Sequence, residues 1–237
     1  MKPYLKIISY GGVNGRIVDN VNKNIEASQF DWTVDWEPVN ANVDVSRAKA
    51  AESFLRSDCD VLIMQDNDTV CGYGDHDHMA LKCSLQECVV GTCYSKRSFH
   101  QGLVLAIHDG VYHEVGSDDF FEVKDGFIGT GLIAIHRFVL NDIGRYVDDC
   151  VEIATGYHTF FLPRVTKTMW QGESVGVQLN DDYSFCARVR EAGRRIFVTM
   201  RPIVGHVGET IFSPIEAQLG QSPPTKRSAN ENLHFLP

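Results

Sequence analysis

The sequence predicts an α/β fold in which a mixed, mainly parallel sheet is flanked by helices. Three observations predict it. Short apolar runs at residues 5–10 and 60–65 are closed by glycines or by acidic residues, as buried strands are. Segments with a helical apolar period lie between such runs. This strand–helix alternation persists over roughly the first hundred residues, the pattern of an open parallel sheet.

Each element follows in order. Leu5 to Tyr10 is a first strand, stopped by Gly11 and Gly12. Ile17, Val18, Val21 and Ile25 give the next segment a helical period. From Phe30 to Pro38, Trp32, Val34 and Trp36 alternate on one face of a second strand. Asp44 or Ser46 is suited to cap a helix that runs to about Ser57, with Ala48, Ala51, Phe54 and Leu55 on its apolar side. Asp60 to Gln65 is a buried strand ending in Asp66-Asn67-Asp68. A helix from Met79 to Cys88 leads to a strand at Cys88–Gly91. Residues 99–127 read as short strands and turns, with His108-Asp109-Gly110 as one turn. Leu132 to Ile135 is a further strand. Residues 146–163 fit no single pattern. Asp181-Asp182 opens a helix that Gly193 stops, and Ile196–Val198 is a strand. Residues 1–217 are expected to form one domain, and 218–237 a polar extension.

Composition bounds the function. Of the 237 residues 43% are hydrophobic and 22% charged, an ordinary globular balance that needs no metal or disulfide staple. The net charge of -9 argues against broad adhesion to DNA or anionic membrane, though not against a local basic pocket. Seven cysteines, without a CxxC pair, read as reduced thiols. With no signal-peptide pattern at the start and no long apolar run, a cytoplasmic location is expected. Cys71, His76, His78, Cys83 and Cys88 are dense enough to suggest zinc, but their spacing fits no zinc module. Asp75, His76, Asp77 and His78 read as a solvated polar loop, with a second metal site as the lesser alternative.

The chemical signal is Asp66-Asn67-Asp68 at the end of an apolar strand. Ligands of open α/β sheets bind beyond the carboxyl ends of strands, and two carboxylates so spaced can hold a hard divalent cation. On its own the triplet is also a common solvated turn. Other runs accompany it in order: Ser46-Arg47-Ala48, Phe54-Leu55, and Ser57-Asp58-Cys59-Asp60 before the strand. Tyr10-Gly11-Gly12, Val89 to Arg97, Gly129 to Arg137, Asn180 to Cys186, and Gly205-His206-Val207-Gly208 complete the series. Over most of residues 5–208 this series resembles the GT-A glycosyltransferases, of the bacterial and viral, glycosyltransferase-2-like kind. Ser95 stands where a proline is common there, and Asp181 where a glutamate is.

The resemblance implies a GT-A fold with a Rossmann-like nucleotide-binding half and an acceptor-binding C-terminal half. It implies a nucleotide-sugar donor, a UDP-sugar by frequency, bound through a divalent cation. Asp68 would contact the metal, Asp66 the metal, the ribose or both, and His206 would be the third ligand. A mixed carboxylate and imidazole set suits Mn²⁺ slightly better than Mg²⁺. Tyr10, Gly11 and Asn67 fall in donor-binding segments. Arg47 is a candidate for the nucleotide or its phosphates, or else an ordinary helix-surface charge. Gly129 and Gly131 would let the backbone approach the sugar. Asp182 would take the acceptor hydroxyl's proton as general base, which favours inversion, and Asp181 would bind the acceptor; either could instead merely cap the helix. Lys96 and Arg97 are donor-site candidates or solvated charges, and Trp170 is a stacking candidate or core. The acceptor is open between glycan, protein and a modified nucleobase. A metal-dependent nucleotidyltransferase and a non-catalytic nucleotide-sugar or glycan-binding module are the other classes; a viral member would act in the host cytoplasm.

Overall fold

The computed structural model describes residues 1–9, 12–38, 41–92, 118–153, 156–170, 173–202, 204–207 and 211–212. Tyr10, Gly11, Cys93, Lys96, Arg97, the 108–110 turn, Gly208 and the 218–237 extension lie outside the described residues.

The expected alternation is present. Strand β1 (Pro3–Ile8) leads to helix α1 (Gly15–Glu26), strand β2 (Thr33–Asp35), helix α2 (Val43–Arg56) and strand β3 (Val61–Asp66). A short β4 (Thr69–Val70) precedes α3 (Asp75–Gln86) and β5 (Val89–Thr92). Then come β6 (Phe120–Glu122), β7 (Leu132–His136), α4 (Arg137–Tyr146), and the two-stranded β8 (Glu152–Ile153) and β9 (Tyr157–His158). A hairpin of β10 (Arg164–Trp170) and β11 (Glu173–Leu179) follows. It leads to α5 (Asp181–Glu191), β12 (Ile196–Thr199), β13 (Gly205–Val207) and β14 (Ile211–Phe212).

Seven strands form one sheet in the order β2-β1-β3-β7-β5-β12-β6. β2, β1 and β3 are parallel, as are β5 and β12, while β7 runs antiparallel between β3 and β5 and β6 closes the edge antiparallel. Both faces of this sheet are covered, so its central strands are mostly apolar instead of alternating. On one face Tyr4, Leu62, Met64, Val89, Ile133, Ile135 and Val198 pack against α2, α4 and α5. On the other, Leu5, Ile7, Val61, Ile63, Val90 and Ala134 pack against α1 and α3. Trp32, Val34 and Trp36 do share a face, half-buried on the second core, although only Thr33–Asp35 pair as a strand.

Several expectations need correction. The α2 cap position is Asn42, not Asp44 or Ser46; Asp44 lies inside the first turn, where its charge suits the helix dipole. The polar run Asp75–His78 is not a solvated loop. It is the first turn of α3, with Asp75 and His76 buried, because Gly74 adopts φ +75° and Asp75 accepts a bond from the Gly72 amide. No zinc cluster exists among the described residues: His78 bonds Thr199 and the Cys83 thiol bonds the Cys88 carbonyl. The six described cysteines are free and buried. Among the described residues no helix is long and apolar enough to cross a membrane.

Gly91 shows how tightly the sheet meets its covering loop. A Cβ there would stand 2.7 Å from Ile128 Cδ1 and 3.3 Å from Ile128 Cβ. Gly91→Ala should therefore cost about 1–2 kcal/mol through overpacking, read as a lower urea midpoint at unchanged slope.

Candidate functional site

The site is assembled where β3 ends, where α5 begins and along the first turns of α2. Arg47 on α2 is 4% exposed. Its Nη2 donates to both carboxylate oxygens of Asp66, at 3.0 and 3.2 Å, and its Nη1 donates to Asp181 and, at 3.2 Å, to Asp182. One guanidinium thus joins the first carboxylate of the DxD triplet to both carboxylates of the later acidic pair. Burial disfavours the charge of Arg47, but Asp66, Asp182 and Asp181 outweigh that penalty and its pKa is raised. Arg47 is no surface charge. Its ion pairs occupy the fork that was expected to face phosphates, while its Nε–H is buried without an acceptor among the described residues.

Asn180 caps α5, its side chain accepting from the Tyr183 amide at 2.9 Å. Neither aspartate is needed as the cap, so both carboxylates are available to face Arg47. Asp182 also accepts a hydrogen bond from the hydroxyl of Thr130, which is 1% exposed. Burial raises the Asp182 pKa from its ordinary value, against the pull of Arg47 and Thr130. A carboxylate shifted in that direction is better matched to accepting a proton near neutrality.

The DxD turn is held from several sides. The Asp66 amide donates to the Gly131 carbonyl at 2.8 Å, tying the triplet to the 129–131 loop. Asn67 is spent on the chain itself: its Oδ1 accepts from the Asn14 amide at 2.8 Å and its Nδ2 donates to the Gly12 carbonyl at 2.9 Å. It therefore positions the loop after β1. Asp68 accepts at its carbonyl from the Val207 amide at 2.6 Å, and His206 pairs with Thr69 across β13 and β4. The backbone of the third candidate ligand thus lies one strand from Asp68; the His206 and Trp170 side chains are outside the description. A Cβ at Gly129 would meet nothing within 4 Å, so that glycine borders open space.

Behind the turn lies a buried polar chain. Gln65, wholly buried, donates from Nε2 to the Thr69 carbonyl at 2.6 Å and pairs through Oε1 with His76 Nε2 at 2.6 Å. That pairing requires the Nε2–H tautomer of His76. Beside α2 a polar cavity of about 370 Å³ is lined by Lys6, Asp35, Glu37, Lys49 and Ser53, among others. Lys6 pairs with Asp35 at 2.7 Å.

Thr130, Asn180 and Gln65 were not singled out as site residues in the sequence, and His76 was weighed there only as a metal ligand. Thr130 carried a signal, since it stands between the two glycines that were singled out. Asn180, Gln65 and His76 act through contacts that spacing does not reveal.

No protein-family model matches the chain, and no curated protein does. Solved structures do. The crystal structure of A197 from STIV superposes with a TM-score of 0.54 at 19% identity, over 99% of this chain and 100% of that one. The crystal structure of GalNAc-T7 with UDP, GalNAc and Mn²⁺ superposes with a TM-score of 0.54 at 10% identity, over 88% of this chain and 44% of that one. The fold is GT-A-like. At these identities the likeness is one of fold.

Two outcomes follow. Arg47→Met would leave the facing carboxylates without their buried cation and should cost about 3–5 kcal/mol. Adding Asp66→Asn should restore part of that, a coupling that a double-mutant cycle in urea would measure. Burial pushes the His76 pKa from 6.5 down to about 4. The unfolded chain takes up this proton near 6.5, so the contribution of neutral His76 is complete above pH 6.5 and is lost as pH falls towards 4. Between pH 7 and 4.5 it should remove about 2–3 kcal/mol of stability, and urea titrations of His76→Gln at both pH values should lack that part of the loss.

Proposed function

We propose that the protein is a metal-dependent glycosyltransferase that moves a sugar from a nucleotide-sugar to an acceptor hydroxyl. The observation that carries this reading is the Arg47 junction, which puts Asp66, on the donor side, and Asp181 and Asp182, on the acceptor side, around one guanidinium. The likeness in fold to a structure described with UDP, GalNAc and Mn²⁺ supports it.

Asp66, Asp68 and His206 would hold the cation, Mn²⁺ or Mg²⁺. Oxygen and imidazole ligands suit such an ion, two of them on one turn and the third on β13, whose backbone pairs with β4 directly after that turn. When bound, such a cation neutralises charge on a leaving diphosphate. The nucleoside would take the polar cavity beside α2, where Asp35 and Glu37 offer acceptors and Lys6 and Lys49 donors. Gly129 and Gly131 would border the sugar. Tyr10 and Gly11 would complete the donor side.

On the acceptor side Asp182 would receive the hydroxyl proton while the acceptor oxygen bonds to the anomeric carbon. The bond from that carbon to the diphosphate breaks, its electron pair leaving with the diphosphate. Thr130 and Arg47 hold the Asp182 carboxylate, and Asp181 would help orient the acceptor. Attack opposite the leaving group inverts the anomeric centre. Residues 1–217 would act as one catalytic domain, in the cytoplasm.

Isothermal titration with nucleoside diphosphates and nucleotide-sugars, with Mn²⁺ and after chelation, tests the donor site. One nucleotide-sugar should bind in a metal-dependent way, and Asp68→Ala should lose that binding. Asp182→Asn should keep donor binding yet lower transfer by at least about a hundredfold. Absence of donor binding by the folded, Mn²⁺-loaded protein would sink the reading; transfer near the wild-type rate in Asp182→Asn would remove Asp182 as base.

A further inference from the structure

The acceptor side carries an aromatic feature that the site described above does not use. Phe127 and Tyr183 stack with ring centroids 4.3 Å apart and planes 15° from parallel. The Arg190 guanidinium lies 5.9 Å from the Phe127 ring. Tyr183 and Arg190 are seven residues apart on α5, about 10.5 Å along a helix axis and on nearly the same face. Phe127 thus packs on one side of α5, stacked on Tyr183 and with Arg190 near its ring. One face of the tyrosine ring is covered, yet the residue is 42% exposed.

The position of the stack is what makes it informative. Tyr183 follows Asp182 directly on the first turn of α5, and its amide is pinned by Asn180. Phe127 lies three residues before Thr130, whose hydroxyl bonds Asp182. One loop and one helical turn hold both the carboxylate and the ring. An aromatic side chain kept rigid and solvent-facing beside a proton acceptor loses little conformational entropy when a ligand covers it.

The geometry points to Tyr183 as the platform of an acceptor subsite, taking the C–H face of a pyranose ring. This rests on the transferase reading and names its acceptor class as a glycoside. The negative face of an aromatic ring attracts polarised C–H groups. A serine or threonine side chain presents no ring to stack. A nucleobase also stacks on aromatic rings, but a net charge of -9 works against a polynucleotide acceptor.

Saturation-transfer NMR tests this on the full chain, with the methyl pyranosides of glucose, galactose, mannose and N-acetylglucosamine as probes. Deoxycytidine and a short serine/threonine peptide are the competing probes, and each sample is run with and without UDP and Mn²⁺. At least one glycoside should show saturation on its ring C–H protons. Its Kd should rise about tenfold in Tyr183→Ala and in Tyr183→Leu and stay within about twofold in Tyr183→Phe, which keeps the ring. Tyr183→Leu retains apolar cover over Phe127, so it carries the test if the alanine variant unfolds. Saturation of no glycoside, equal affinity in the leucine variant, or a Tyr183-dependent signal from deoxycytidine or the peptide instead would each overturn the platform. UDP binding in the same samples separates the two readings. UDP bound with no Tyr183-dependent glycoside overturns the platform alone, whereas a Tyr183-dependent glycoside with no nucleoside diphosphate or nucleotide-sugar of the titration panel bound overturns the transferase reading and leaves Tyr183 a glycoside platform without an acceptor role.

Discussion

A guanidinium removed from water needs anionic partners, because the desolvation of an unpaired charge costs several kcal/mol. Arg47 finds them on elements far apart in sequence: Asp66 at the end of β3, and Asp181 and Asp182 at the start of α5. This requirement ties α2, β3 and α5 together beyond the carboxyl end of β3. Each carboxylate would in turn be costly to bury without Arg47, so the four groups depend on one another. The arrangement is organised by charge, where the two faces of the sheet are organised by apolar packing.

Around that junction the backbone is held by bonds that leave little freedom. The DxD turn is tied to the loop after β1 through Asn67, to the 129–131 loop through the Asp66 amide, and to β13 through the Asp68 carbonyl. Gln65 and His76 brace it from within the sheet. A site that must place reacting groups within fractions of an ångström is best built on such crossed supports. The antiparallel β7 contributes as well, since its insertion between β3 and β5 brings the Gly131 end of the 129–131 loop against Asp66.

Much of the frame was legible in residue order. Continuous apolar runs marked β1, β3, β5, β7 and β12 because buried strands have no polar face to show. Other elements were not legible, for physical reasons. Helix α4 begins with His136 as its cap, the ring accepting from the Phe138 amide, and no Ser, Thr, Asp or Asn announces it. In the β10–β11 hairpin only a short run alternates, Val175, Val177 and Leu179 in β11, and most of β11 is exposed, so little in the sequence announces the pair. Asp75–His78 looked solvated because polar residues usually are. Only the packing of α3 against β3 and β12 supplies the partners that let His76 and His78 turn inward.

The candidate site divides in the same way. The sequence by itself determined which residue types were on offer: a DxD triplet at a strand end, an acidic pair opening a helix, a glycine-flanked threonine. It also determined the α/β class, because hydrophobic period depends only on neighbours along the chain. Tertiary structure alone decided that Arg47 faces carboxylates, that Asn180 caps α5 in place of the aspartates, and that Thr130 bonds Asp182. Those choices are settled by distances between elements that lie up to about 135 residues apart in the chain, and no local period encodes such distances. They emerge only when burial forces each polar group to find a partner.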